Sequence, residues 1–319
     1  LRVGVIGGGW YGCHIACELL DRGHSVTLFE RHDRLFHEAS RNNQYRLHRG
    51  FHYPRHCQTR MQSVVGFGRF MQEYPNLTRA VPDNLYAVPE RESLLDFATY
   101  CLVMTASGLD YAIVPIPNFL SGIEGCIYVD ERVILVTEAR AHFTGRLKNA
   151  LRLETTCAPP KENGKIGTEA FDWVIDATWG AFQNLPVEVT YEPTILLYYE
   201  ARQPFPAVTL VDGPLCSIYP TEDPAVFTLS SVVHTPVNGM SSVLVKRAAM
   251  EQQISRYISA FRDIFRFVGP QHSAKTKPLG ASDDRASRVF QRGRVISVLS
   301  GKIDGIFYAA DRVLEMIGG

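Results

Sequence analysis

The segment RVGVIGGGWYG, an apolar run that ends in closely spaced glycines, leaves few folds open to this chain. Residues 2–6 predict a buried strand and 10–22 a helix, and Gly7, Gly9 and Gly12 fall between and into them in a GxGxxG pattern. Each glycine has a separate use. Gly7 allows the tight turn, Gly9 lets main-chain N–H groups approach a pyrophosphate with no Cβ in the way, and Gly12 lets the helix pack on the strand. Phosphates held there meet the positive end of the helix that Trp10 and Tyr11 open. SVTLFE (25–30) predicts the next strand and closes a βαβ unit. Glu30 ends that strand, where an acidic side chain accepts hydrogen bonds from an adenosine ribose. A ribose 2′-phosphate would be repelled by it, which excludes NADP more firmly than it separates NAD from FAD.

Charge points to a small-molecule partner. Lys plus Arg and Asp plus Glu are 33 each, so no net field recruits nucleic acid or an anionic lipid surface. No apolar run approaches the roughly 20 residues that span a bilayer, and no signal-peptide pattern precedes the first strand; a cytoplasmic chain is expected. Seven scattered cysteines contain no CxxC, so neither a disulfide framework nor a zinc site is expected. His48, His52 and His56 are spaced four apart, but Gly50 and Pro54 interrupt any helix there, and no metal is expected.

Further along, helices are predicted at 58–74, from Glu92 to Ala106, and from Glu138 to Leu151, with strands at 84–90, 111–115, 125–135 and 172–178. The next hundred residues are β-rich (187–201, 206–211, 215–219, 225–234) and close on a helix from Ser242 to Phe265. A strand at 294–299 and a helix from Asp304 finish the chain. Strand–helix alternation at both ends around a β-rich middle predicts an α/β fold whose parallel sheet is completed by the C-terminus. One unit is expected from 1–80, 125–182 and 285–319, and a β-rich α+β substrate cap from 81–124 and 183–284. Oligomeric state is not legible.

Three separated stretches resemble the flavoprotein superfamily typified by D-amino acid oxidase, including glycerol-3-phosphate and L-2-hydroxyglutarate dehydrogenases. They are 4–31 with its Glu30-Arg31 ending, ASRNNQYRLHRGFHYPR (39–55), and VLSGKIDGIFYAADRVLEMI (298–317). WVIDATWGAF (173–182) resembles the family's strand ending in a small-residue turn, although Trp179 departs from the usual Ala-Thr-Gly. The resemblance implies a Rossmann-type FAD-binding domain. It places Ser40, Arg46, Leu47 and His48 in a loop beside the flavin, Cys157, Ala177 and Thr178 along the cofactor, and Gly301, Lys302, Ile303 and Asp304 at the pyrimidine end. Some relatives attach flavin through a histidine of this loop, which leaves a covalent bond at His48 open. Main-chain donors at Gly301 and the Lys302 ammonium would stabilise negative charge at flavin N1 and O2.

The implied reaction is oxidation of a small amine, amino acid or 2-hydroxy acid, the flavin taking a hydride equivalent at N5. A carboxylate-bearing substrate calls for an Arg fork, for which Arg46, Arg49 and Arg55 are the candidates, with Tyr53 beside them. His48, Tyr219 and His234 are candidate proton-handling groups, His234 because it is the sole histidine of the β-rich middle. Tyr198 and Tyr199 point to opposite faces of their strand. A monooxygenase of the aromatic-hydroxylase type would share the first motif, but its late Gly-Asp segment is not found in SGKID. A non-redox dinucleotide-binding protein would keep Gly7 to Glu30 and have no use for the two later stretches.

Overall fold

The computed structural model describes residues 1–183, 185–237, 242–280 and 284–318. Its first sheet has six strands in the order 288–292, Val295–Leu299, Trp173–Asp176, Arg2–Ile6, Ser25–Phe29 and 151–152, all parallel except the first. Strands from the two ends of the sequence therefore share one sheet, on either side of Trp173–Asp176. Arg2–Ile6 and Val295–Leu299, buried along nearly all their length, read as near-continuous apolar runs, the pattern expected of parallel sheets.

The helix Trp10–Asp21 is anchored by the Trp10 indole, whose ring lies 4.9 Å from Phe36, 5.5 Å from Phe70 and 5.7 Å from Phe143. Burying a side chain of this size stabilises by about 1.5–3 kcal/mol or more. That packing fixes where the helix begins, and so where its N-terminal N–H groups point. Gly12 lies within it because a Cβ there would stand 1.9 Å from the Gly7 carbonyl oxygen.

A second sheet has eight strands, ordered 265–278, 189–201, 226–231, 216–220, 207–210, 84–89, 123–128 and 112–114. It is antiparallel except where 207–210 meets 84–89. A small third sheet joins Arg46–Leu47, Arg132–Ile134 and Thr78–Ala80. Among the described residues no helix is long and apolar enough to cross a membrane.

Several sequence expectations change here. The apolar run 125–135 is two strands in different sheets, split by a turn carrying Asp130 and the buried Glu131. A boundary at 125 therefore falls inside a strand of the eight-stranded sheet. The helix expected from Glu92 starts at Phe97, because Asp96 caps it by accepting from Thr99 N at 2.7 Å. The helix expected to reach Phe265 ends at Ser255, and after a short turn at 261–264 the chain runs as a 14-residue strand, Phe265–Pro278. Its alternation is of exposed and half-buried polar groups at a sheet edge, so it carries little apolar periodicity.

Candidate active site

One cavity of about 520 Å³ runs between the first and second sheets. At one end it is bounded by Gly7, Gly8 and Gly9 and the main chain of Trp10 and Tyr11. Gly7 has φ +107°, and a Cβ on Gly9 would lie 2.8 Å from Ser40 Oγ. The helix has no acidic residue in its first turn, and its first N–H, at Trp10, donates to Ser40 Oγ at 3.1 Å. Glu30 is buried, and its carboxylate accepts from Gly8 N at 2.7 Å and His32 N at 2.9 Å. Each oxygen keeps capacity for a second donor. Arg31 and Cys157 also line this end, with Arg31 held by Glu38 at 2.5 Å.

Farther along, Ala177 and Thr178 follow strand 173–176, and the Ala177 carbonyl abuts Gly7. Thr178 is pinned by its N–H and hydroxyl donating to Asp176 Oδ1 at 3.0 and 2.6 Å. Trp179, at φ +60°, donates from its indole to the Ser300 carbonyl at 2.9 Å and so ties this turn to the turn 300–303. Gly301 N donates at 3.2 Å to both Tyr11 Oη and Ser287 Oγ, while Tyr11 Oη donates to the Lys302 carbonyl. Gly301 is obligatory because a Cβ would meet the Arg285 carbonyl at 2.0 Å.

The far end is lined by cationic side chains from four segments: Arg46, Lys275, Arg285 and Lys302. Arg46 is buried, with its guanidinium 4.0 Å over the Tyr219 ring and Nη1 3.3 Å from Tyr86 Oη. Its Nε and Nη2 have no hydrogen-bond partner among the described residues. Such donors are costly to leave unpaired, and they call for an acceptor. Burial, with Arg285 and Lys275 nearby, pushes the Lys302 ammonium down to about 7. Burial and neighbouring cations likewise push Lys275 down to about 8. His48 Nε2 lies 3.4 Å from Lys302 Nζ, and burial with Lys302 and Arg46 holds His48 well below the usual imidazole range. It is therefore a neutral imidazole at pH 7. Burial raises the Asp304 carboxyl to about 6 beside that lysine.

A family model described as FAD dependent oxidoreductase (DAO) matches residues 2–105. FAD-dependent monooxygenase FPY4 of Fusarium mangiferae is 52% identical over 334 residues, covering 99% of this chain and 90% of that protein. This chain belongs to the FAD-dependent oxidoreductase family. FAD-dependent monooxygenase kojA of Aspergillus flavus is 29% identical, covering 99% of this flavoprotein and 86% of the relative. In fold, the flavoprotein is similar to glycine oxidase from Geobacillus kaustophilus (TM-score 0.77, 14% identity, 99% and 94% of the two chains). It is equally similar to L-alpha-glycerophosphate oxidase from Mycoplasma pneumoniae with FAD bound (TM-score 0.77, 13% identity, 100% and 94%).

The flavoprotein's residues fit that cofactor. The glycine cradle, which a Cβ at Gly7 or Gly9 would fill, and the helix start, whose N-cap Gly9 has no side chain to cap it, suit a pyrophosphate, and the buried Glu30 suits a ribose. Not every expected residue reaches the cavity. The Trp10 indole and the Leu47 side chain go into the core, so Trp10 contributes only main chain and Leu47 does not line the cavity. Tyr53 stands behind Lys302, whose Nζ lies 5.0 Å over its ring. Asp304 is buried beneath the turn, while Ile303 lines the cavity.

Tyr219 lies under Arg46 and donates to the Arg132 carbonyl at 3.3 Å, away from the cavity surface. His234 sits in a turn near Lys246 and Arg256 and does not line the cavity. Arg49 pairs with Asp110 and Arg55 with Asp212, which leaves Arg46 as the fork. Lys275, Arg285 and Glu131 escaped sequence reasoning. Lys275 is on the edge strand that lacked periodicity, Arg285 sits in no motif, and Glu131 was hidden by reading 125–135 as one strand. A pair of acids, Asp130-Glu131, inside an apolar run was the available signal.

Proposed function

We propose that this flavoprotein oxidises a small anionic substrate, an amino acid or 2-hydroxy acid, in the cationic end of the cavity. Bound FAD supplies the redox chemistry, accepting a hydride equivalent at N5. The observation that carries this reading is the Arg46 guanidinium, which lines the cavity while two buried donors stay unpartnered. A carboxylate would complete them and gain from Lys275, Arg285 and Lys302 around it. His48, neutral and lining the same end, has an Nε2 able to take the hydroxyl or ammonium proton. In this reading the six-stranded unit holds the cofactor, and the eight-stranded sheet covers the substrate.

A test is anaerobic mixing of the FAD-loaded protein with panels of amines, amino acids and 2-hydroxy acids, following absorbance at about 450 nm. Bleaching by acids is expected; bleaching by neutral amines alone would overturn the reading. A second reading, insertion of oxygen, is favoured by the names of the relatives at 52% and 29% identity. It requires label from ¹⁸O₂ in the product, whereas hydride removal alone leaves the product unlabelled.

A further inference from the structure

Glu131 is fully buried between strands 123–128 and 132–134, beside His48 and one residue removed from Arg46, the two residues of the 46–49 segment that line the cavity. Its Oε1 accepts from Arg49 N at 2.8 Å and lies 3.9 Å from His48 Nδ1, a contact longer than a hydrogen bond, to a buried nitrogen that has no other partner among the described residues. Its Oε2 accepts from Tyr86 Oη at 2.9 Å, and Tyr86 Oη in turn accepts from Arg46 Nη1 at 3.3 Å. A carboxylate with no exposure is costly unless its partners gain from it. Here the partners, Arg49 N and Tyr86 Oη, stand directly behind Arg46 and His48, the residues of this segment that line the cavity.

We propose that Glu131 is the positioning residue of this site: one oxygen fixes the His48 loop and ring, and the other, through Tyr86, aims Arg46. The two branches have separate consequences. With the carboxylate on its Nδ1 side, His48 carries its proton on Nδ1 and leaves Nε2 as the acceptor facing Lys302 and the cavity. With Nη1 engaged by Tyr86 and its face on Tyr219, Arg46 keeps Nε and Nη2 for an incoming anion. Burial raises the Glu131 carboxyl, while Arg46, the Arg49 N–H and Tyr86 hold it down, which suits a carboxylate kept by its neighbours. The Arg46 branch rests on the anionic-substrate reading, whereas the His48 branch does not.

The test uses the full-length FAD-loaded protein labelled with ¹⁵N-histidine, with acetate as the anion probe followed by the flavin absorbance. The wild type should show His48, assigned by its loss in His48→Gln, as the Nδ1–H tautomer. Glu131→Gln should abolish that single tautomer and weaken acetate by about tenfold or more, with FAD retained. Tyr86→Phe cuts only one branch, and should weaken acetate while leaving the His48 signals in place. Glu131→Gln protein that holds FAD with the His48 tautomer and acetate affinity unchanged would overturn the proposal. So would Tyr86→Phe with wild-type acetate affinity, for the Arg46 branch. If Glu131→Gln fails to hold FAD, Glu131→Asp replaces it: it keeps the charge but withdraws it by one methylene, and an unmoved His48 signal there counts against the proposal. Wild-type protein indifferent to acetate would contradict the anionic-substrate reading alone, and the His48 tautomer would still decide Glu131.

Discussion

At the Gly7–Gly12 end of the cavity the groups that matter are main chain, brought close because side chains are missing. At the Arg46–Lys302 end they are charged side chains from four distant segments, crowded together out of water. The first end is set by a local rule of sterics and survives changes of charge better than a change of shape. The second is set by tertiary packing, and its protonation states are held away from their ordinary values. Substitutions should therefore separate cofactor retention from anion handling.

The largest effect is expected from Gly12→Ala, because the new Cβ meets a carbonyl oxygen that cannot move without breaking the turn. Purified protein should lack the flavin absorbance near 450 nm and lose about 3 kcal/mol or more in urea unfolding. Gly68→Ala, on a helix with open space around it, is the control; it should keep FAD and gain up to about 1 kcal/mol. Next comes Arg46→Met, which should leave FAD bound but weaken acetate by about 30-fold to 1000-fold, measured by flavin absorbance titration. Loss of FAD in that variant would merge the two ends that the structure separates.

Glu30→Ala should act in the opposite sense, lowering FAD affinity about tenfold to a hundredfold in equilibrium dialysis while acetate affinity of the loaded protein is retained. The smallest effect is expected at Lys302. A unit charge about 4 Å away at an effective dielectric near 20 is worth about 4 kcal/mol, so a screened fraction corresponds to tens of millivolts. Lys302 is a cation below about pH 7 and neutral above it, and a cation favours the reduced, anionic flavin. Lys302→Met should lower the two-electron potential by tens of millivolts at pH 6, and the two proteins should converge by about pH 8.5. A difference that persists above that pH would mean that Lys302 keeps its proton.

How much of this was legible beforehand follows the same division. Gly7, Gly9, Gly12 and Glu30 obey a rule that acts over about thirty consecutive residues, so the string of letters carries it. Arg46, His48 and Gly301–Ile303 were found by likeness to known flavoproteins. Lys275 could not be, since its nearness to Lys302 is created by pairing 265–278 with 189–201 at a sheet edge that has no apolar period, and Arg285 is placed by contacts outside any strand or motif, its N–H on Thr59 Oγ1 and its carbonyl against Gly301. Tyr219 and His234 were chosen for chemical type. The fold uses Tyr219 as the platform under Arg46 and puts His234 outside the cavity lining.

The most direct measurement is the rate of anaerobic flavin bleaching by a matched pair, a reducing amino or hydroxy acid and its methyl ester, in wild type and Arg46→Met. In the wild type the acid should reduce the flavin about a hundredfold faster than the ester at limiting concentration, and Arg46→Met should erase that preference. Equal rates for acid and ester in the wild type, or bleaching by a reduced nicotinamide cofactor alone, would contradict a cavity whose cationic end reads an anionic substrate.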